Sequence, residues 1–244
     1  MIRTAIWLLF AAVILIISFP VVLVLLLFKK KSGAAVRAAV QRFVDLLIGP
    51  VMKLAGAKVV RSGMENIPEG AALFVGNHQG GFDAAIAIGY LGPVKSIVMK
   101  KEISKVPVAR QWMDLLGCIY MDRASAKDCL RCITQAQELL ENGRSVVIFP
   151  EGTRSRGPRM GELKAGSLRC AVRAGVPIVP FVIDGSYRLF EEKHRLTPTQ
   201  VRVSVLPPVD TSRFGIHDTK ELAQELQRLM QNELDAIQKG ADNA

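Results

Sequence analysis

The pattern of hydrophobic and polar positions divides the chain into three parts. From Ala5 to Phe28 there is no charge over 24 positions. As a helix this stretch is about 36 Å long at roughly 1.5 Å per residue, enough to cross a hydrocarbon core about 30 Å thick with some tilt. A cleaved signal peptide fits less well, because its apolar run is about 7–15 residues and ends in small residues. Here the run meets Phe28-Lys29-Lys30-Lys31. Those lysines outweigh Arg3, and the positive-inside rule then puts residue 29 onward in the cytoplasm. Length favours a single crossing; Pro20 predicts a kink and leaves a bent helix dipping into one leaflet as the alternative.

In the second part Val36, Val40, Phe43, Val44, Leu47 and Ile48 recur at three- and four-residue steps, with Arg37, Gln41, Arg42 and Asp45 between them. This predicts an amphipathic helix up to about Gly49-Pro50, suited to the membrane interface or to packing on the body. Residues 1–57 are thus expected to form a membrane anchor: a hydrophobic helix at 5–28, a basic flank, and an amphipathic helix at 34–56, its amphipathic period clearest up to Gly49-Pro50.

From residue 58 short apolar runs alternate with helical stretches. The predicted strands are Lys58–Arg61, Ala72–Gly76, Ser96–Met99, Cys118–Met121, Ser145–Phe149, Ile178–Ile183 and Val201–Leu206. Near-continuous hydrophobic runs suit strands buried on both faces. Helices are expected near 83–91, 107–116, 126–142 and 164–174. A last one starts near Asp218, with Glu221 in a capping-box spacing, and runs to about Gln238. This alternation predicts an α/β fold over 58–244, a three-layer αβα domain with a mostly parallel central sheet.

Charge sharpens the division. The net charge is +10, which at first suggests nucleic acid. Residues 1–60 carry eight basic residues and one acid, whereas the rest carries 24 basic and 21 acidic residues. The excess therefore sits beside the most apolar segment, as for contact with anionic lipid, and no nucleic-acid partner is expected. Cys129-x-x-Cys132 lacks a second cysteine or histidine pair, so reduced thiols on a helix face are expected, and no metal.

In such folds chemistry gathers where strands end and helices begin. After the run 73–76 come Asn77-His78-Gln79-Gly80-Gly81-Phe82-Asp83. A tight turn would bring the Asp83 carboxylate onto the His78 imidazole, fixing its tautomer and making it a general base. After the run 146–149 come Pro150-Glu151-Gly152-Thr153-Arg154-Ser155. They offer a carboxylate, a flexible backbone, a hydroxyl and a guanidinium able to fork onto phosphate. Lys100, Lys101 and Arg123 lie at other strand ends, and together these cations suggest a phosphate pocket beside the histidine.

These two motifs resemble the first and third motifs of the glycerolipid acyltransferases. The closest likeness is to the 1-acyl-sn-glycerol-3-phosphate acyltransferases. Gly117-Cys118-Ile119-Tyr120-Met121-Asp122-Arg123 is similar to their second motif, and Val176-Pro177-Ile178-Val179-Pro180-Phe181 to their fourth. Lys100-Lys101-Glu102 with Val106-Pro107 is similar to a linking segment. The likeness spans about 58–206 in order and spacing. It implies acyl transfer from acyl-CoA or acyl-acyl carrier protein to the 2-hydroxyl of a lysophosphatidate, with no cofactor beyond the donor. The catalytic pair maps onto His78 and Asp83, and the glycerol-phosphate contacts onto Glu151, Gly152, Thr153, Arg154 and Arg123. The expected location is the bacterial cytoplasmic membrane, with the catalytic domain on the cytoplasmic side.

No G-x-S-x-G elbow is present and no cysteine adjoins His78, so direct transfer without an acyl-enzyme is expected. Oxyanion donors are sought among the N–H groups of Gly80–Phe82 or Gly152. Three alternatives stand beside this reading. One is another acceptor, glycerol 3-phosphate or a lyso-aminolipid. Another is a metal hydrolase with His78, Asp83 and Glu151 as ligands, weakened by the lone histidine. The third is a non-enzymatic lipid-binding module.

Overall fold

A computed structural model describes residues 1–28, 33–93 and 95–242, so the expected basic flank at Lys29–Lys31 lies outside the described residues. Two long helices open the chain, α1 (Ile2–Phe28) and α2 (Gly33–Ala55). The body begins with β1 (Ala57–Ser62), β2 (Leu73–Gly76), α3 (Asp83–Tyr90), β3 (Ser96–Lys100), α4 (Ala109–Leu116) and β4 (Ile119–Met121). It continues with α5 (Ala126–Glu141), β5 (Val146–Ile148), α6 (Arg169–Ala174), β6 (Ile178–Asp184), β7 (Thr199–Val205) and α7 (Thr219–Asp242). All seven expected strands form, with ends within two residues of the sequence reading.

The strands make one sheet in the order β1-β7-β6-β2-β5-β3-β4. Every neighbouring pair is parallel except β6 with β7. Alternation along the strands splits the core in two. Phe74, Val147, Val179 and Phe181 point to the side covered by α2, α3 and α4. Leu73, Val75, Val146 and Ile148 point to the side covered by α5, α6 and α7. The result is the three-layer αβα arrangement, because strands buried on both faces need helices on both. Since β2 lies between β5 and β6, the loops after β2 and β5 leave the same sheet end side by side.

Three local expectations are corrected. α2 does not stop at Gly49-Pro50 but runs through Pro50 to Ala55. Met52 and Ala55 are buried there, and Trp7 Nε1 donates to the Val51 carbonyl at 3.0 Å, so packing overrides the break. The stretch 164–174 divides into a 3-10 turn at Ala165–Leu168 followed by α6. Asp218 makes no capping box: its carboxylate accepts from Gly215 N–H at 2.8 Å.

α1 is attached to the body along its length. Near its start, Leu196 N–H donates to Thr4 Oγ1 and the Trp7 ring meets Phe82 edge-on at 5.5 Å. Further on, Trp112 Nε1 donates to Ser18 Oγ at 3.0 Å and Val22 is fully buried. The opposite stripe, Ile2, Leu9, Ile16 and Leu27, is 67% to 79% exposed. α2 places Val36, Val40 and Met52 in the same cluster as Phe74 and Ile97. α1 and α2 therefore share the core of the body, with one face of α1 packed on it and the other exposed.

Candidate active site

The turn after β2 is built by Asn77. Its Nδ2 donates to the Ile183 carbonyl at 2.8 Å and its Oδ1 accepts from Ile183 N–H at 2.7 Å. The side chain thereby extends the β2–β6 ladder by one rung and fixes where His78 begins. Gly76 allows the approach, since a Cβ there would lie 2.2 Å from the Phe181 ring.

His78 Nδ1 lies 2.7 Å from Asp83 Oδ2. Asp83 is fully buried at the start of α3, and the same oxygen accepts from Gly80 N–H at 2.8 Å. An ionised carboxylate only accepts, so in the neutral imidazole the proton sits on Nδ1 and Nε2 is left with its lone pair. The ring stacks on Phe149 at 4.5 Å and 19°. The expected His-x4-Asp contact is thus formed, and the imidazole is clamped between a carboxylate and an apolar face.

The loop after β5 joins this one through its backbone. Ser155 N–H donates to the His78 carbonyl at 2.8 Å and Arg156 N–H to that of Gln79 at 3.1 Å. Glu151 is turned inward, contrary to its expected role as a substrate contact. Its carboxylate accepts from His78 N–H at 2.7 Å and from Gly161 N–H at 2.9 Å. Burial raises its pKa, and those two donors offset the rise only in part. It is a clasp between loops. Among the described residues no group of three or more His, Cys, Asp or Glu is arranged to hold a metal ion.

The cations separate into two sets. Arg154 is exposed beside the Gly80–Gly81 turn, and a Cβ on Gly81 would lie 3.3 Å from its Nη1. Arg123 donates to the Gly152 carbonyl. Burial first, and then the charge of Arg154, lower its pKa, so the two guanidiniums share one field. Thr153 is exposed next to them. Lys100 and Lys101 stand further out, paired with Glu102 at 3.2 Å and with Asp122 at 3.6 Å. Two residues escaped sequence reasoning. Lys164 Nζ would lie 2.9 Å from a Cβ on Gly152. Glu191, 6% exposed, accepts through Oε1 from Gly81 N–H at 2.7 Å and from Arg154 Nη1 at 3.1 Å. Neither sits in a recognisable spacing: Glu191 stands eight residues beyond the predicted strand end at Ile183.

Of the candidate oxyanion donors, Gly80, Gly81 and Gly152 are occupied by Asp83, Glu191 and the Phe149 carbonyl. Beside Gly152 opens a cavity of about 240 Å³, lined by Met121, Ile133, Ala136 and Ile148, with Arg123 at its edge. An imidazole held by a carboxylate, guanidiniums at the two neighbouring loops and an apolar slot suit proton abstraction from a hydroxyl on a phosphorylated amphiphile.

Residues 58–184 match the family model described as Acyltransferase. The chain is 31% identical over 194 residues, 75% of its own length and 73% of the relative's, to a probable 1-acyl-sn-glycerol-3-phosphate acyltransferase of Mycoplasma pneumoniae. It is 30% identical over 195 residues, 79% of each chain, to the 1-acyl-sn-glycerol-3-phosphate acyltransferase of Escherichia coli. It is also similar to the crystal structure of the 1-acyl-sn-glycerophosphate acyltransferase of Thermotoga maritima. The TM-score there is 0.83 at 27% identity, over 97% of this chain and 95% of that one.

Proposed function

The chain belongs to the acyltransferase family, and from that premise we propose that it moves a fatty acyl chain from acyl-CoA or acyl-acyl carrier protein to the 2-hydroxyl of 1-acyl-sn-glycerol 3-phosphate, giving phosphatidic acid. The observation that carries this reading is the His78–Asp83 contact of 2.7 Å, with Arg154 beside the same turn and Arg123 on the Gly152 carbonyl of the adjoining loop. The names of the relatives support the acceptor.

A secondary hydroxyl has a pKa far above 7 and needs a base as it attacks. His78 Nε2 takes the hydroxyl proton while the oxygen bonds to the thioester carbonyl, a contribution of roughly 10²–10⁴-fold. Asp83 holds the ring and stabilises the imidazolium. The tetrahedral intermediate then collapses, the C–S bond breaks, and the thiolate takes the proton back from His78. Among the described residues Phe82 N–H has no hydrogen-bond acceptor, which leaves it as the candidate donor to the oxyanion. Arg123 and Arg154 hold the acceptor phosphate, and the apolar cavity beside Gly152 takes an acyl chain. No cofactor takes part.

The enzyme is membrane-associated, and we place α1 in the plane of one leaflet. Its exposed apolar stripe runs the whole helix while the other face is fastened to the body, so acyl chains cover the stripe and headgroups meet the active-site loops.

The test is phosphatidate formation by purified full-length protein given lysophosphatidate with acyl-CoA, then with acyl-acyl carrier protein. Wild type is expected to turn over and His78→Ala to lose at least about 10²-fold. No product from wild type with either donor overturns the proposal. Product only with glycerol 3-phosphate or a lyso-aminolipid reassigns the acceptor, and a burst of acyl-enzyme overturns direct transfer.

A further inference from the structure

At the sheet end opposite His78 lies a cavity of about 510 Å³. Its walls include Ala71, Lys95 and Ser145, which precede β2, β3 and β5, whereas the catalytic loops follow β2 and β5. The first turns of α2 cover one side of it. The volume is that of a small-molecule site.

Three cations line it: Arg37 on α2, Lys95 ahead of β3 and Arg144 ahead of β5. Glu69 is the one carboxylate on the wall. Among the described residues none of these cations is in an ion pair. Arg144 is held in place, its Nη2 donating to the Leu116 carbonyl at 2.7 Å and to Ser96 Oγ at 3.0 Å. Gly117 makes the room, since a Cβ there would lie 2.4 Å from Nη2. Burial and the neighbouring charge of Arg37 lower the Arg144 pKa. Lys95 is 3% exposed; its Nζ donates to the Leu91 and Pro93 carbonyls and lies 4.3 Å over the Phe74 ring. Burial pushes its pKa down to about 8.

Like charges gathered in a partly desolvated hollow destabilise the folded chain unless an anion offsets them. The remaining walls narrow the choice of anion. Ala38, Ile67 and Pro68, exposed or half-buried, give the hollow apolar surface, which an inorganic ion leaves uncovered and an amphiphile covers. We propose that this cavity is a second lipid site, holding the phosphate-bearing headgroup of an anionic membrane lipid on Arg37 and Arg144, with its first chain carbons against Ala38, Ile67 and Pro68. The proposal rests on the reading of the α1–α2 flank as membrane-facing and is independent of the reaction at His78.

Native mass spectrometry of the full-length protein in neutral detergent tests it, with phosphatidylglycerol and phosphatidylcholine as probes. Wild type is expected to retain phosphatidylglycerol in preference to phosphatidylcholine. Arg37→Gln removes an exposed charge that makes no side-chain hydrogen bond among the described residues, so the fold should stand; it should cut that retention roughly tenfold, the loss of one charge-assisted contact, at unchanged acyl-transfer rate. Arg144→Lys, which keeps the charge, should retain more lipid than Arg37→Gln. Equal retention by wild type and Arg37→Gln overturns the proposal. So does equal retention of the two lipids with millimolar inorganic phosphate displacing both, the signature of a free-phosphate site. Failure of wild type to make phosphatidate sinks the catalytic reading and leaves these lipid counts standing.

Discussion

At the scale of residues, Glu191 carries the sharpest consequence of the geometry. Its Oε1 serves the Gly81 N–H and Arg154 together, and its Oε2 is buried without a hydrogen-bond partner. Exposed ion pairs contribute about 0–1 kcal/mol, but this carboxylate is 6% exposed, so its loss frees both the turn and the guanidinium. Glu191→Ala is expected to raise KM for the phosphorylated acceptor by roughly tenfold, with KM for the acyl donor unchanged. Steady-state kinetics with each substrate varied in turn check this. A fall in acceptor KM would mean that the carboxylate competes with phosphate for Arg154. Glu191 was hidden in the sequence because it stands 37 residues from Arg154 and 110 from Gly81. His78 and Asp83 were legible because five residues and two glycines confine them to one turn.

At the scale of elements, the N-terminal helices show how close packing replaces propensity. α2 crosses α3 at Gly89, where a Cβ would come within 2.5 Å of the Ile48 side chain. Gly89→Ala is expected to destabilise the enzyme by about 1–3 kcal/mol, read as a lower Tm in detergent. Ile48→Ala in the same chain makes room, so the double variant should recover part of that loss. Strictly additive effects would show that the two helices do not meet there. The strands and most helices were readable because their hydrophobic periods are long and clean. α2 was cut short at Gly49-Pro50 in the sequence reading because local rules see only the missing N–H. They do not see Met52 and Ala55 buried in the next layer.

At the scale of the molecule, the lie of α1 decides how lipid reaches the site. Spin labels at Leu9→Cys, Ile16→Cys and Leu27→Cys, in a cysteine-free background in bilayers, should report similar depths if the helix lies in one leaflet. A steady gradient of depth from Leu9 to Leu27 would restore the crossing. Sequence by itself determined the α/β class, the seven strands, the apolar helix and the pairing of His78 with Asp83, because each is written in short-range periodicity or spacing. Tertiary structure alone decided which charges converge. Arg123 met the Gly152 carbonyl, Glu151 turned inward, Glu191 met Arg154, and Arg37 joined Lys95 and Arg144 at the far end of the sheet. Those meetings depend on the strand order β6-β2-β5-β3 and on which face each helix buries, and no spacing along the chain encodes a distance across a sheet.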